Sequence, residues 1–288
     1  MSARPTIAIV GPGNLGTALA LALHAAEYRI AEVVTREGKE SQRYGRALAK
    51  KVNARLIAVG APLSADLIWL CVPDRQIAAC ANAIAEDSSW RGKVAFHSSG
   101  ALTSDELTPL RGKGAAVASV HPLMTFVRSV SPSLMKVPFA LEGDAAALRV
   151  ARALVRSLGG QPFIIPKHAK PAYHAWGGFA SPLFIALLAM AERVAGLVGI
   201  SRAASRKMML PIVRQTLSNY AAHGPSAAFS GPIVRGDIET VSKHLKILDG
   251  FPEAKSVYVA LARSALRELP TPNRKALARV LSGPDCRR

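Results

Sequence analysis

A short glycine-rich segment near the amino end limits what this chain can fold into more than any other feature does. The residues Thr6–Val10 read TIAIV, and such a run of β-branched and apolar residues predicts a buried strand. The run continues into GPGNLG, which places Gly11, Gly13 and Gly16 at the spacing G-x-G-x-x-G, and an alanine-rich helical pattern extends through Leu23. A strand, a glycine turn and a helix in this order are typical of a dinucleotide-binding site.

Each glycine of this turn has a separate expected role. Gly11 permits the tight turn, Gly13 lets a pyrophosphate approach the backbone, and Gly16 lets the helix pack closely against the strand. The pyrophosphate would lie on the free N–H groups that open the helix, where the helix dipole favours negative charge. We therefore assign five residues to the cofactor phosphates: Gly11, Gly13, Asn14, Leu15 and Gly16. The alternative is an ordinary glycine-rich turn, which the flanking strand and helix make the weaker interpretation.

The end of the second predicted strand, Arg29–Thr35, bears on which dinucleotide binds. In such a fold this strand end meets the adenosine ribose, and an acidic residue there accepts the 2′-hydroxyl of NAD. This chain instead has Thr35 and Arg36, and a small residue beside a guanidinium suits the 2′-phosphate of NADP. We therefore predict NADP rather than NAD. Glu37 follows directly, and the competing interpretation is that Arg36 is simply exposed.

Short apolar runs recur along the first 166 residues, with helical or polar stretches between them. The predicted strands after the first two are 54–59, 66–72, 93–97, 116–120, 138–141 and 161–165. Strands that alternate with helices indicate a mostly parallel sheet covered on both faces. The sequence thus predicts an α/β, Rossmann-like doubly wound sheet over residues 1–166, with ligands bound at the carboxyl ends of its strands.

Three of these strands end in residues suited to ligand contact. They are Val72, Pro73 and Asp74 after one strand, His97, Ser98 and Ser99 after the next, and His121 before Pro122 after a third. We predict that Val72, Pro73 and Ser98 contact the cofactor, and that Asp74 mainly caps the following helix. A lone histidine is usually structural. Two at adjacent strand ends raise the expectation that one of them moves protons.

Beyond Pro166 the pattern changes to long helices, which predicts a second domain over residues 167–288. The first helix, from about Pro171 to Val198, contains an uncharged run, Ala172–Ala191, whose length alone would suit a membrane span. The polar, glycine and proline residues inside the run favour instead a helix buried between domains or subunits. The later segments are a helix over Ser201 to about Ala222, a loop over His223–Gly236, a helix capped by Asp237, a helix over Pro252–Leu269, and a short helix with a frayed tail within Pro270–Arg288.

Composition bounds the class of protein. The chain has 288 residues, of which 50% are hydrophobic, and this is enough apolar surface for two folded domains. Its formal net charge is +18, but the Lys and Arg residues are scattered without a recognition helix or RNA-binding motif, so we expect no nucleic-acid partner. Cys71, Cys80 and Cys286 lack metal-ligand spacing, and no leader precedes the first strand, which together favour the cytoplasm.

The ordered motifs VPD, HSSGAL, SVHPLMTF, FALEGD, KPAYHA and GPIVRGDIETVSKHL resemble a bacterial family of oxidoreductases. Members pair a Rossmann-like domain with a helical domain labelled as of unknown function, and the resemblance runs from about Thr6 to Leu266. The architecture is similar to pyrroline-carboxylate reductase, hydroxyisobutyrate dehydrogenase and phosphogluconate dehydrogenase, and some members resemble an alternative ketopantoate reductase. The resemblance implies an all-α second domain of the phosphogluconate dehydrogenase C-terminal type, a homodimer, and NADP-dependent reduction of a small anionic 2-keto acid or imine.

The KPAYHA motif supplies the main catalytic candidates. Lys170 and His174 are four residues apart and therefore share one helix face, which Gly177 and Ser181 continue. In the enzymes that this family resembles, a Lys on the first helix after the sheet domain points at the nicotinamide. We therefore predict Lys170 as the general acid, with His174 as the second choice because imidazole titrates near neutrality. Ser181 is a predicted substrate contact.

Two further motifs provide expected substrate contacts. The HP at His121 is similar to the HP of prephenate dehydrogenases, where the His contacts the substrate near the nicotinamide, and this implies such a role for His121 with Ser99 beside it. Arg235 could pair in a bidentate manner with a carboxylate. The family usually has Asn where this chain has Pro182, which is expected to kink the helix. The missing amide keeps open a non-catalytic NADP-binding regulator or scaffold.

Overall fold

The computed structural model describes residues 4–86, 90–127, 132–269 and 271–282. Within these ranges eight strands form one sheet: β1 (Ile7–Val10), β2 (Ile30–Thr35), β3 (Arg55–Ala58), β4 (Leu67–Leu70), β5 (Val94–His97), β6 (Ala116–Pro122), β7 (Pro138–Gly143) and β8 (Gln161–Ile164). Every one of these strands coincides with a predicted apolar run, so the prediction of the strands is confirmed.

The strand order in the sheet is β3-β2-β1-β4-β5-β6-β7-β8. All neighbouring pairs are parallel except β6 and β7, which are antiparallel with Val120 opposite Leu141. Parallel strands are normally covered on both faces, and β1 and β4 are buried along their whole length. The predicted Rossmann-like doubly wound sheet is therefore confirmed.

Side chains along the strands alternate between two cores, one on each face of the sheet. In β1, Ile7 and Ile9 belong to one core, whereas Ala8 and Val10 belong to the other. This is the period of two that strand geometry imposes. Because both faces are filled with apolar side chains, the polar groups that could bind a ligand are concentrated at the strand ends.

Helices connect and follow the strands. Within the described ranges they are α1 (Asn14–Ala25), α2 (Lys39–Lys51), α3 (Asp74–Ala85), α4 (Thr108–Gly112), α5 (Ala145–Ser157), α6 (Lys170–Ala180), α7 (Pro182–Ala195), α8 (Arg202–Ala228), α9 (Ile238–Leu248), α10 (Pro252–Glu268) and α11 (Arg274–Ser282). The predicted succession of sheet and then helices is confirmed. Asp237 caps α9 as predicted, because its carboxylate accepts from the Thr240 N–H at 3.0 Å.

The chain divides into two compact units, Met1–Pro182 and Leu183–Arg288. The first contains the sheet with α1 to α6. The second has its own apolar core, made by α9, α10 and α11 and including Val241, Leu245 and Ala262. The predicted boundary after residue 166 precedes α6, which groups with the sheet because Lys170 and Tyr173 of that helix are buried. A functional division into 1–166 and 167–288 stays a prediction.

The long helix predicted over about 171–198 is wrong in one respect, because it is two helices. Ser181 follows α6 with φ −132° and ψ −78°, which is not helical, and α7 then begins at Pro182. Proline has no N–H and a fixed φ, so it is accepted at the start of a helix but not in its interior. The predicted kink at Pro182 is thus a complete break.

One other segment of the helical part differs from expectation. The helical stretch Arg202–Ala228 is interrupted at Gly224 (φ 72°, ψ 177°), which agrees with the predicted helix end near Ala222. The residues just after Gly224, within the predicted loop over His223–Gly236, are helical. The predicted short helix near the end is confirmed as α11. The frayed tail and Cys286 lie outside the described residues.

One described stretch, Lys167–Val198, is long and apolar enough to cross a membrane by length and composition alone, with a mean hydropathy of 1.6. The break at Ser181 divides this stretch into two helices of 11 and 14 residues. Lys170 lies in its first turn and is fully buried among polar groups of the first unit. The stretch therefore does not form one continuous helix.

Candidate functional site

The glycine turn between β1 and α1 has the geometry that its sequence predicts. Gly11 has φ +96°, and a Cβ there would lie 2.7 Å from the Cys71 carbonyl oxygen. A Cβ at Gly16 would overlap the Gly11 carbonyl oxygen, so α1 packs directly on the turn. At Gly13, by contrast, the Cβ position has no described atom within 4 Å. The turn is therefore closed where it packs and open at the position where a pyrophosphate is expected.

A cleft of about 540 Å³ opens beside this turn, at the carboxyl ends of β1, β2 and β4. Its lining includes Gly11, Gly13, Arg36, Val72 and Pro73, all of which the sequence analysis predicts. Further lining residues that the sequence analysis missed are Ser41, Tyr44, Arg75 and Gln76. The cleft combines an exposed backbone turn with guanidinium groups, and a phosphorylated dinucleotide fits that donor set.

Several predicted cofactor residues are not among the residues that line the cleft. Thr35 is buried, and its methyl group packs where a side chain at Gly45 of α2 would lie. The Asn14 amide donates to the Phe126 carbonyl at 3.1 Å, and Leu15 packs against the core. The Ser98 hydroxyl accepts from the Trp69 indole N–H at 2.7 Å. These side chains therefore make contacts within the protein as well as lying near the turn or the strand ends.

Ser99, the second residue after β5, is buried and makes several hydrogen bonds. Its N–H donates to Nδ1 of His97 at 3.1 Å, and its hydroxyl donates to Asp74 at 2.8 Å. The Ser99 carbonyl oxygen accepts from the Ser119 hydroxyl at 3.0 Å and from Lys170 at 2.8 Å. Ser99 is only 4% exposed, so its predicted role in substrate contact would be carried out through the groups that it holds.

The interpretation of Asp74 as a helix cap is wrong. Pro73 occupies the N-cap position of α3, and Asp74 is the first residue of that helix. Its carboxylate accepts the hydroxyl of Ser99, which lies 25 residues later in the chain. Because the two residues meet only when β4 and β5 pair side by side, local sequence gave no sign of this contact.

Lys170, the predicted general acid, is fully buried at the first turn of α6. Its ammonium donates to the Ser99 carbonyl at 2.8 Å and to the Ser119 hydroxyl. Burial lowers the pKa of Lys170 from 10.5 to about 8, while the negative charges of Glu142 and Asp74 oppose that shift. An amine with a pKa near neutrality can both hold and release a proton under physiological conditions.

His97 is a fixed neutral imidazole beneath this network. It is fully buried, its Nδ1 accepts from the Ser99 N–H, and its Nε2 lies 2.9 Å from the Thr103 carbonyl oxygen. The carbonyl can only accept, so Nε2 carries the hydrogen. Burial, with a smaller contribution from the Lys170 cation, lowers the pKa of His97 to about 4. Of the two strand-end histidines, His97 is therefore the structural one.

His121 on the neighbouring strand β6 lies at the edge of the site. Its Nδ1 is 2.7 Å from the Tyr173 hydroxyl, and the two rings meet edge to face at a centroid distance of 5.5 Å. A Cβ at Gly100 would lie 2.9 Å from both Nε2 of His121 and Cδ2 of His174. The predicted residues Lys170, His121 and His174 are thus brought together at the ends of β5 and β6, on the sheet edge where the glycine turn also opens.

Two further predicted substrate residues are Ser181, at the end of α6, and Arg235, in the second unit. Ser181 ends α6, where its N–H donates to the Gly177 carbonyl at 3.1 Å. Arg235 is exposed on the turn before α9 and belongs to the second unit. The cluster also contains Tyr173, which the sequence analysis missed although it lies inside the KPAYHA motif, next to His174.

Comparisons with known proteins agree with this architecture. Residues 1–122 match the Rossmann-like domain, and residues 137–265 match DUF2520, a domain of unknown function. None of the curated proteins compared with the chain matches it.

Three solved structures illustrate the fold. A candidate NADP oxidoreductase, BF3122 from Bacteroides fragilis, is 22% identical with a TM-score of 0.74, over 91% of this chain and 97% of that one. A reductive aminase from Aspergillus terreus, in complex with NADPH4, cyclohexanone and allyl amine, is 17% identical with a TM-score of 0.61, over 92% and 95%. A pyrroline-5-carboxylate reductase from Coxiella burnetii is 14% identical with a TM-score of 0.57, over 96% and 99%.

At these identities the likeness shows a shared fold. The resemblance predicted from the motifs is therefore confirmed for the architecture. The architecture is that of a Rossmann-like domain followed by a helical part that matches DUF2520 over residues 137–265.

Proposed function

We propose that this protein is an NADPH-dependent reductase of a small anionic 2-keto acid or imine. The observation that carries the proposal is Lys170, a buried ammonium held by Ser99 and Ser119 at the same edge of the sheet as the open glycine turn. Lysine is almost never fully buried without a carboxylate partner unless its charge is used. At this position it would stand beside the reacting atoms of a bound cofactor and substrate.

The cofactor assignment is supported by the cleft at Gly13 and Arg36. The open Cβ position of Gly13 leaves room for a pyrophosphate on the N–H groups of α1, and Arg36 lines the adjoining part of the cleft. Arg75 lines the same cleft and adds a second cation for a 2′-phosphate. A structure of the reductive aminase from Aspergillus terreus, which has the same fold, is a complex with NADPH and ethyl-5-oxohexanoate. NADPH, when bound, supplies the hydride for reduction.

The chain itself would supply the proton and hold the substrate. Two hydrogens of the Lys170 ammonium are directed at Ser99 and Ser119, which leaves one for the oxygen or nitrogen that gains negative charge as the hydride arrives. His174 is the second candidate for proton transfer, and His121 would contact the substrate. Arg235 would pair with a substrate carboxylate. The cationic residues favour an anionic substrate.

We expect NADPH to bind at least tenfold more tightly than NADH, and Arg36→Ser to remove most of that difference. A charge-assisted hydrogen bond between a guanidinium and a phosphate contributes about 1.5–3 kcal/mol, which is lost with the side chain. Titration of the fluorescence of each reduced cofactor measures both affinities. Arg46→Ser is the matched control, because Arg46 is exposed on the neighbouring α2 and is not among the lining residues. Equal binding of NADH and NADPH by the unaltered protein would contradict the proposal for the cofactor.

A second function is favoured by one observation, the break at Ser181 before Pro182. The family that the motifs resemble usually has Asn at this position, and the amide contact is missing here. A non-catalytic NADP-binding regulator or scaffold would retain cofactor affinity without turnover. Substrate-dependent oxidation of NADPH distinguishes the two functions.

We further propose that the protein is a cytoplasmic homodimer whose subunits meet through α6, α7 and α8. Large apolar side chains on these helices are exposed in the single chain: Trp176, Phe179, Leu183, Ile185, Met208 and Ile212. Large apolar side chains that are exposed in a single chain mark an interaction site. The described cysteines, Cys71 and Cys80, are free thiols, as is usual in a reducing compartment.

Light scattering during size-exclusion chromatography should give twice the chain mass of 30.4 kDa. Ile185→Asp should shift the mass toward the monomer, because it would bury an unpaired charge in the interface. Ile247→Asp is the matched control, since Ile247 is similarly exposed but lies on α9. A monomer at all concentrations of the unaltered protein would refute the dimer.

A further inference from the structure

Tyr173 determines which nitrogen of His121 can face a ligand. The Tyr173 hydroxyl is 2.7 Å from Nδ1 of His121, and the phenol is only 7% exposed. Phe163 and Trp176 pack edge to face on the Tyr173 ring at centroid distances of 6.1 and 6.0 Å. The phenol is therefore held in place by aromatic neighbours, and His121 is tethered to it.

The direction of this hydrogen bond follows from the two groups. Burial raises the pKa of Tyr173 to about 12, so the phenol keeps its proton. Burial, and then the positive charges of Lys170 and His174, lower the pKa of His121 to about 4, so the imidazole is neutral. A neutral imidazole has one N–H and one lone pair, and a phenol is the stronger donor of the two groups. The Tyr173 O–H therefore donates to Nδ1, which leaves the His121 hydrogen on Nε2.

The other side of the His121 ring faces a restricted space beside the backbone. Among the described residues, Nε2 of His121 has no hydrogen-bond partner, and it is not one of the buried unpaired atoms. Nε2 of His121 lies close to Gly100, where a Cβ would be only 2.9 Å from it. Because glycine has no side chain, Nε2 is left uncovered at this point. Cδ2 of His174 would lie at the same distance, 2.9 Å, from that Cβ position. An accessible N–H donor is thus fixed next to His174 and close to the Lys170 network.

We infer that Tyr173 is a positioning residue that fixes His121 as the Nε2–H tautomer, and that this N–H recognises an oxygen acceptor of the substrate, a carbonyl or carboxylate oxygen. This inference rests on the proposed function, because it assigns the acceptor end of the substrate bound at that site. A protonated imine nitrogen has no lone pair with which to accept a hydrogen bond from this N–H. The group that faces His121 is therefore a carbonyl or carboxylate oxygen of the substrate.

Nitrogen-15 NMR of the histidine side chains tests the tautomer without any substrate. The resonance of His121 is assigned by its loss in His121→Gln. We expect a single Nε2–H form in the unaltered protein and a mixture of both tautomers in Tyr173→Phe, because the phenol donor is gone. An Nδ1–H form in the unaltered protein would overturn the inference. A purely structural role of Tyr173 would leave the tautomer of His121 unchanged in Tyr173→Phe.

Kinetics with a reducible keto acid test the recognition of oxygen. His121→Gln keeps an amide N–H near the position of Nε2, and we expect it to retain a KM within about threefold of the unaltered enzyme, whereas His121→Leu should raise KM by about tenfold. Gly100→Ala should also raise KM, because its methyl group would crowd Nε2 of His121 and Cδ2 of His174 while Tyr173 is untouched. Equal KM values for His121→Gln and His121→Leu would overturn the assignment of the donor.

The affinity for NADPH separates this inference from the proposed function. All of these variants should bind NADPH like the unaltered protein, since none of the altered residues lines the cofactor cleft. Failure of the unaltered protein to bind NADPH would refute the proposed function, yet the NMR result would still stand. Normal NADPH turnover with an unchanged KM in His121→Leu would refute the inference alone.

Discussion

Lys170→Met is expected to lower kcat for NADPH-dependent reduction by about a thousandfold, with the dissociation constant of NADPH unchanged. General acid catalysis contributes about 10²–10⁴ in rate, and methionine retains the length of the side chain without a proton to donate. Ser99 and Ser119 each lose the Lys170 ammonium as a hydrogen-bond donor, but the Ser119 hydroxyl still donates to the Ser99 carbonyl. The variant should therefore fold.

The pH dependence of the unaltered enzyme gives the same prediction a second test. The pKa of Lys170 is lowered to about 8, so the ammonium is the main form below pH 8 and is lost as the pH rises through that value. Reduction needs the protonated amine, and its rate should therefore fall above pH 8. Oxidation in the reverse direction needs the free amine and should rise over the same range. Both trends should be absent from the residual activity of Lys170→Met.

Lys167→Met is the matched control for this substitution. Lys167 lies three residues earlier and is about half-exposed, paired with Asp105 at 2.5 Å. Loss of an exposed ion pair costs little, so kcat and its pH dependence should be unaffected. A Lys170→Met enzyme with normal kcat would remove Lys170 from the mechanism and leave His174 as the proton donor.

Alanine at Gly16 and alanine at Gly13 are expected to have opposite consequences. A Cβ at Gly16 would overlap the Gly11 carbonyl oxygen, which is backbone and cannot rotate away. We expect Gly16→Ala to lower the free energy of unfolding by about 3 kcal/mol, because overpacking of this kind forces a shift of the backbone. Unfolding in urea, followed by circular dichroism, measures the change.

At Gly13 the Cβ direction is open and φ is −75°, a value that alanine adopts readily. Gly13→Ala should therefore stay within about 1 kcal/mol of the unaltered protein in stability. Its affinity for NADPH should nevertheless fall at least tenfold, because the methyl group takes the space where the pyrophosphate approaches the backbone. If Gly13→Ala bound NADPH normally, the cofactor phosphates would have to lie elsewhere.

Sequence patterns predicted the sheet well because each strand is determined by the apolar residues of its own short segment. The apolar runs at Ile7–Val10 and Leu67–Leu70 can be satisfied only by burial on both faces, and the glycines between strand and helix have steric roles that require no distant partner. The break at Ser181 was only partly foreseen. Proline predicts a disturbance, but whether the helix bends or ends depends on packing that the local sequence does not contain.

The site, like the fold, was predicted where its cause is local and was missed where it depends on residues far apart in the chain. The spacing of Lys170 and His174, together with the motif resemblance, singled out α6, but spacing alone could not show that one side chain is buried and the other exposed. Asp74 and Tyr173 act on residues 25 and 52 positions away in the chain, so no short motif links them to their partners. Contacts of this kind become visible only when the strands are placed side by side.

The most direct test of the central claim is the oxidation of NADPH by the purified protein with a panel of small 2-keto acids and imines, ketopantoate included. We expect substrate-dependent oxidation that saturates with at least one anionic member of the panel. The oxidation should be slower with NADH, and Lys170→Met should lower its kcat by about a thousandfold. Tight binding of NADPH without oxidation by any member of the panel would contradict the proposed function and would favour the non-catalytic NADP-binding protein instead.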